Sequence, residues 1–240
     1  MVSRNKAKWT LLALPLLAGS ISSAMADSLA GPSGELIVTG VYQPQACYVT
    51  LANNGTIDYG RMHASAFSAT DYTSLPVKTL TNAITLNCPA LTSVAVTTQD
   101  NRAATATWGD EFNNPLPFRT DSAYAPALGL GVDSAANKIG NYISQLQNVK
   151  GDGIDAYFPA LAGTAFRIAD PQTLRPTLYI GAGAISGFVY NIYNSSGQII
   201  SAKVYTMDYS VSPQIVPTSD LNLSRDVVLD GSITVSFYYL

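Results

Sequence analysis

Apolar residues recur at every second position along most of this chain, the period of a half-buried strand. Ala46, Tyr48 and Thr50 alternate with Cys47, Val49 and Leu51 until Asn53-Asn54-Gly55 turns the chain. The segment Gly34–Tyr42 (GELIVTGVY) precedes them as a β-rich run that stops at Pro44, and Thr56–Gly60 follows as another short strand. In Thr79–Cys88 one side carries Leu80, Asn82, Ile84, Leu86 and Cys88, and Asn82 interrupts the apolar set. A turn is expected at Pro89, with a further strand over Leu91–Thr98. Strands are also expected over Lys138–Leu146 and Ala165–Ala169. Phe188–Tyr193 and Gln198–Met207 bracket the turn Asn194-Ser195-Ser196-Gly197, the clearest hairpin signal. Pro213 and Pro217 mark a loop, and the chain closes with Val227–Leu229 and Gly231–Leu240. In the last segment Ile233, Val235, Phe237 and Tyr239 recur at intervals of two and are expected to share an inward face. Helical spacing is weak, and its best window, Ala123–Leu130, contains Pro126. Close-set strands with regular turn signals predict one all-β antiparallel sandwich with a long middle insertion, residues 103–187.

Composition narrows the function classes. Of 240 residues only 12% are charged and 47% are hydrophobic, so the chain can support a core and is not disordered. Its formal charge is −3, and Lys and Arg do not cluster beyond the first ten residues, which excludes a basic nucleic-acid binder. The single His63 excludes a multi-histidine metal site.

The N-terminus reads as an export signal. Arg4, Lys6 and Lys8 precede the apolar run Thr10–Gly19, too short to span a bilayer, and Ala24-Met25-Ala26 supplies the small residues before a cleavage point. Cleavage after Ala26 leaves 27–240 as a single domain of 214 residues (240 − 26) with no membrane span. Cys47 and Cys88, the two cysteines, then lie in an oxidising compartment, which argues for a disulfide. In the chain-entropy model a loop of that size contributes about 4 kcal/mol.

Catalytic chemistry is sparse. The pairs Gly129/Gly131 and Gly181/Gly183 lack the third glycine of a dinucleotide loop. His63 lies in Arg61-Met62-His63-Ala64-Ser65, with no local signature of a triad. Asp152 and Asp155 in KGDGID lack the ligand alternation of a calcium loop and read as a solvated turn. No enzyme activity, metal or cofactor is expected. Trp108 and the 14 tyrosines leave room for a carbohydrate-binding module as a rival reading.

Three features resemble bacterial chaperone–usher pilin subunits: GELIVTGVYQPQAC running into Cys47; Ile57-Asp58-Tyr59-Gly60 followed by Ile84-x-Leu86-x-Cys88; and the alternating C-terminal segment with its penultimate aromatic. The stretch Ile57–Cys88, with Thr98–Arg102 and Lys138–Tyr142, is also similar to the GltF-like family of periplasmic proteins of unknown function, often regarded as fimbrial relatives. The resemblance implies an immunoglobulin-like sandwich that lacks its last strand and exposes an apolar groove. It implies assembly by strand addition, with a periplasmic chaperone, an outer-membrane usher and neighbouring subunits as partners, in the periplasm or a cell-surface adhesive fimbria. Ile233, Val235, Phe237 and Tyr239 would then form the strand that meets chaperone or neighbour, and Leu29, Leu36 and Val38 are candidates for the donor segment. A Val at position 227, where pilins carry Gly, and a leader poor in large apolar residues favour the other outcome of the same resemblance, a self-complete periplasmic sandwich.

Overall fold

A computed structural model describes residues 37, 39–40, 46–107, 127–159, 173–180 and 189–240. Residues 43–240 form one compact unit; residues 1–42 form another, of which only Ile37, Thr39 and Gly40 are described. Leu29, Leu36, Val38, Trp108 and Ala165–Ala169 lie outside the described residues, as does most of the strand expected over Gly34–Tyr42.

The described chain is all-β. Its strands are β1 Tyr48–Leu51, β2 Thr73–Ser74, β3 Lys78–Thr92, β4 Val94–Asp100, β5 Leu128–Gly129, β6 Gly140–Gly151 and β7 Ile154–Asp155. They continue as β8 Phe158–Pro159, β9 Leu174–Arg175, β10 Thr177–Ile180, β11 Tyr190–Asn191, β12 Ala202–Ile215 and β13 Ile233–Tyr239. The main antiparallel sheet runs β1-β3-β12-β6-β10, with β2, β5 and β7 as short additions. A second sheet runs β11-β4-β13. Ile84 and Leu86 of β3, Leu146 of β6 and Tyr205, Met207 and Val211 of β12 meet Val94 and Val96 of β4 and Tyr190 of β11 in one apolar core. This is the sandwich that the period-two pattern predicts. The disulfide joins Cys47, beside β1, to Cys88 on β3, with Cα atoms 4.2 Å apart.

Several local expectations change. β3 runs through Pro89 to Thr92, because the register against β12 shifts between Val204–Asn87 and Ala202–Thr92, and the proline sits in that irregularity. β12 likewise runs through Pro213. The carbonyl of Pro213 accepts from Leu75 N at 2.8 Å, so its missing N–H falls on the side of the short β2 connection, not on the β6 ladder. Within the middle region, β6 is an interior strand, laddered to β12 from Gly140 to Gly151. The Asn194–Gly197 hairpin forms, with Asn194 N donating to Gln198 O at 2.9 Å. Its arms then part: β11 pairs with β4, and β12 enters the main sheet.

Asn82 departs from the apolar pattern for a backbone reason. It has φ 47°, and its N–H donates to Asp208 Oδ1 at 2.7 Å. Asn148, with φ 50°, donates from Nδ2 to Asp208 Oδ2 at 2.8 Å. Asp208 sits at the register shifts of β12 against both β3 and β6, so one buried carboxylate serves two adjacent bulges.

Candidate functional site: a groove with two strand-like rims

Two segments without a ladder flank one side of the sandwich. Residues 56–62 follow the turn after β1, and residues 223–232 lead into β13. The sequence reads Thr56–Gly60 and Val227–Leu229 as strands, but neither has a ladder among the described residues, and Gly60 sits at φ 72°. Their burial still alternates: Ile57 and Tyr59 are half-buried against the core while Asp58 and Gly60 are exposed. On the other rim Val227 and Leu229 are half-buried while Val228 and Asp230 are exposed. Each rim thus has the side-chain pattern of a strand without its partner.

Cavities of about 680 Å³ and 220 Å³ lie along these rims. Both cavities are lined by Ile57, Tyr59 and Leu229. Ile139 and Ile215 lie under the larger one, Tyr142, Tyr209 and Val211 under the smaller. The rims run antiparallel. Before the first rim and beyond the second, Cys47 N donates to the Tyr239 hydroxyl of β13 at 2.8 Å; within the rims Arg61 Nη1 meets Asp226 Oδ2 at 3.5 Å. The 14 residues from 47 to 61 therefore match the 13 from 239 to 226. No backbone hydrogen bond joins the rims among the described residues.

Each rim is pinned to the body. The Tyr59 hydroxyl donates to Pro76 O at 2.9 Å and Val211 O at 3.2 Å. Burial pushes its pKa up to about 12, because the phenolate would lose its hydration. Lys78 Nζ donates to Asp58 O at 2.6 Å and lies 4.6 Å from the Tyr59 ring centre. On the second rim Arg102 grips Asp230 through two bonds, Nε to Oδ2 at 2.7 Å and Nη2 to Oδ1 at 3.2 Å. Asn222 N donates to Asp133 Oδ2 at 2.6 Å, and this bond, before those from Asn137 and Ala135, lowers the Asp133 pKa to about 2. Gly231 lies against the Tyr142 ring, where an added Cβ would come within 2.8 Å of Cε1. The Tyr142 and Tyr209 hydroxyls are both held neutral by burial.

The C-terminal strand is placed as follows. β13 pairs with β4 from Ile233–Asp100 to Tyr239–Val94, and its other edge has no partner strand among the described residues. Ile233, Val235 and Phe237 pack half-buried against the core. Tyr239 departs from the expected inward face: it is 55% exposed, and its hydroxyl reaches across to Cys47. Its phenol finds a backbone donor at the rim that the apolar core does not offer. Sequence reasoning picked out Ile57, Tyr59 and the β13 residues but missed Arg61, Asp226, Tyr142, Tyr209 and Gly231. The alternation of 57/59 and 227/229 was the readable signal; the cross-groove partners are 165 and 192 residues apart in sequence and left none.

His63 is exposed beside this groove, and its carbonyl accepts from Ala66 N. The Asp152 carboxylate accepts from Lys203 N and Val204 N, which makes the KGDGID turn a structural contact.

Comparison with known proteins agrees with the second of the two family resemblances. Residues 36–143 match a family described as protein of unknown function (DUF1120). The chain is 23% identical over 235 residues to "Uncharacterized protein YhcF" of Escherichia coli (strain K12), covering 94% of this chain and 98% of that one. It is 35% identical over 88 residues to "Protein GltF" of the same organism, covering 36% of this chain and 35% of that protein. In sequence, this all-β sandwich is therefore similar to the GltF-like proteins.

Proposed function

We propose that the protein is a periplasmic β-sandwich of the GltF-like kind whose open face accepts an extended strand. The observation that carries this reading is the pair of antiparallel rims, apolar at alternate residues and without a ladder between them. A strand between residues 56–62 and 225–239 would cover the half-buried faces of Ile57, Tyr59, Val227, Leu229 and Ile233. It would also supply backbone partners along the free edge of β13. This is binding chemistry, with no catalytic step. The comparisons support the GltF-like reading through the family of unknown function matched over residues 36–143 and the similarity to Protein GltF. The fimbrial subunit is the second reading, favoured by the unpaired β13 edge: there a periplasmic chaperone fills the groove first and the leader of a neighbouring subunit replaces it.

The test is thermal unfolding of the exported chain, purified without a chaperone, with and without a peptide copying Ser33–Tyr42. Strand acceptance predicts a melting temperature that rises with peptide concentration. A stable monomer with an unchanged melting temperature overturns it and leaves a self-complete sandwich.

A further inference from the structure

Gly60 breaks the alternation of the first rim. Ile57 and Tyr59 pack half-buried against the core, and a strict period of two would turn Arg61 inward next. Gly60 instead has φ 72°, in the left-handed region, and the phase shifts by one residue. Arg61 is exposed, and Met62 takes the inward place, half-buried against the core. Met62 also lines the larger cavity, together with Phe67, Ile139, Ile215 and Leu221. Its side chain is thus both packed and reachable from outside. Met207, the other methionine among the described residues, is fully buried on β12 opposite Ile84. The two cysteines are joined to each other, so no thiol of the chain competes for an oxidant.

We infer that Met62 is an oxidation site: a peroxide entering the larger cavity converts its thioether to the sulfoxide, and the sulfoxide loosens the first rim. The inference goes beyond strand acceptance and does not depend on it. The sulfur lone pair attacks one oxygen of the peroxide. The S–O bond forms, the O–O bond breaks, and the departing oxygen leaves as water; sulfur is oxidised and the peroxide reduced. No cofactor or catalytic side chain is needed, so access to the sulfur decides which methionine reacts. The product is a polar group among the apolar side chains that wall the cavity. Its oxygen finds hydrogen bonds by turning to solvent, which withdraws the side chain from the core. Residues 56–62 have no ladder among the described residues to make up for that loss.

Hydrogen peroxide added to the full exported chain, followed by peptide mapping with mass spectrometry, reads the site. Met62 should gain oxygen about 10-fold faster than Met207. The melting temperature of the oxidised protein should fall by about 2–4 °C, the shift for a small packing loss in a domain of this size. Amide exchange of residues 57–62 should speed, while that of β12 should not change. Met62→Leu keeps the volume and apolarity of the site, so it should melt near wild type and show no fall under peroxide. Equal rates at Met62 and Met207 overturn the site, a comparison that needs no variant. Met62 sulfoxide with an unchanged melting temperature and unchanged exchange overturns its effect on the rim. An equal fall in Met62→Leu does the same.

Discussion

Tyr205 on β12 and Tyr59 on the first rim both bury a phenol against the same core and both donate to two carbonyls. Tyr205 reaches Thr92 O at 2.6 Å and Ile200 O at 3.2 Å. Its backbone lies between β3 and β6, opposite Leu86 and Gly151. Tyr59 reaches Pro76 O and Val211 O, but its backbone belongs to no ladder among the described residues. The side chains are used in the same way and the backbones are not. In the seam formed by β3, β12 and β6, apolar burial and hydrogen bonding coincide. At the groove the two separate: neither rim has a ladder, and side chains hold the rims to the body together with isolated backbone bonds such as Asp230 N to Leu130 O and Asn101 N to Ser232 O. The alternation of a strand in sequence therefore specifies a place in the sandwich. It does not guarantee that the partner is in the same chain.

The contrast is broken most directly by removing the two rings. Tyr205→Ala should cost about 3–5 kcal/mol, the range for emptying a buried aromatic site, read from denaturant midpoints at constant m. Tyr59→Ala should cost clearly less, because its site is open on one side and refills with water. Equal losses would make the groove as integral to the fold as the seam.

Next in size is the carboxylate that serves the two bulges. Asp208→Ala leaves the Asn82 N–H and the Asn148 amide without their acceptor inside the sheet, and should cost about 2 kcal/mol. The variant should retain peptide uptake, since Asp208 lies in the seam. Lost uptake with retained stability would mean that the bulges shape the groove.

Gly231→Ala acts at the groove floor. The new methyl meets the Tyr142 ring and Leu130, and should cost about 1 kcal/mol, the low end for overpacking, because the ring edge can shift. It also narrows the smaller cavity, so peptide uptake should weaken more than stability does. A neutral effect on both would place the strand elsewhere.

How far the sequence could be read follows the same division. Wherever the ladder is closed, the period of two gives the strand: Ile84, Leu86 and Cys88 on β3 and Ile233, Val235 and Phe237 on β13 point as the pattern predicts. Prolines misled at 89 and 213, because a proline ends a strand only where its missing donor faces a partner. Asn82 was visible as an interruption, but its cause lies 126 residues away in Asp208. The groove was half legible. Ile57/Tyr59 and Val227/Leu229 read as strands, and local pattern carries no information on whether a strand finds a partner. Tyr239 matched the inward set by spacing and left it through its hydroxyl, a preference that hydrophobic periodicity does not weigh.

The smallest effect tests what pins the second rim. Asp133 accepts from Asn222 N, from Asn137 N and Nδ2, and from Ala135 N, and these bonds need the carboxylate form. Its pKa lies near 2 in the folded protein, below the ordinary 3.8. A depressed acid favours the fold above its ordinary pKa and loses that contribution as pH falls through the folded value. The anchorage of Asn222 should therefore be complete above about pH 4 and fade toward pH 2. Exchange of the Asn222 amide, followed by NMR across that range, should show protection falling together with that of the Ser224 amide, which donates to Asn222 Oδ1, while the β12 amides keep theirs. Asp133→Asn should lose the pH dependence and show the unprotected rate throughout. If protection of the rim is instead constant from pH 5 to about 2, Asp133 is not its anchor. Arg102–Asp230 then holds the second rim, and the groove should widen at high salt rather than in acid.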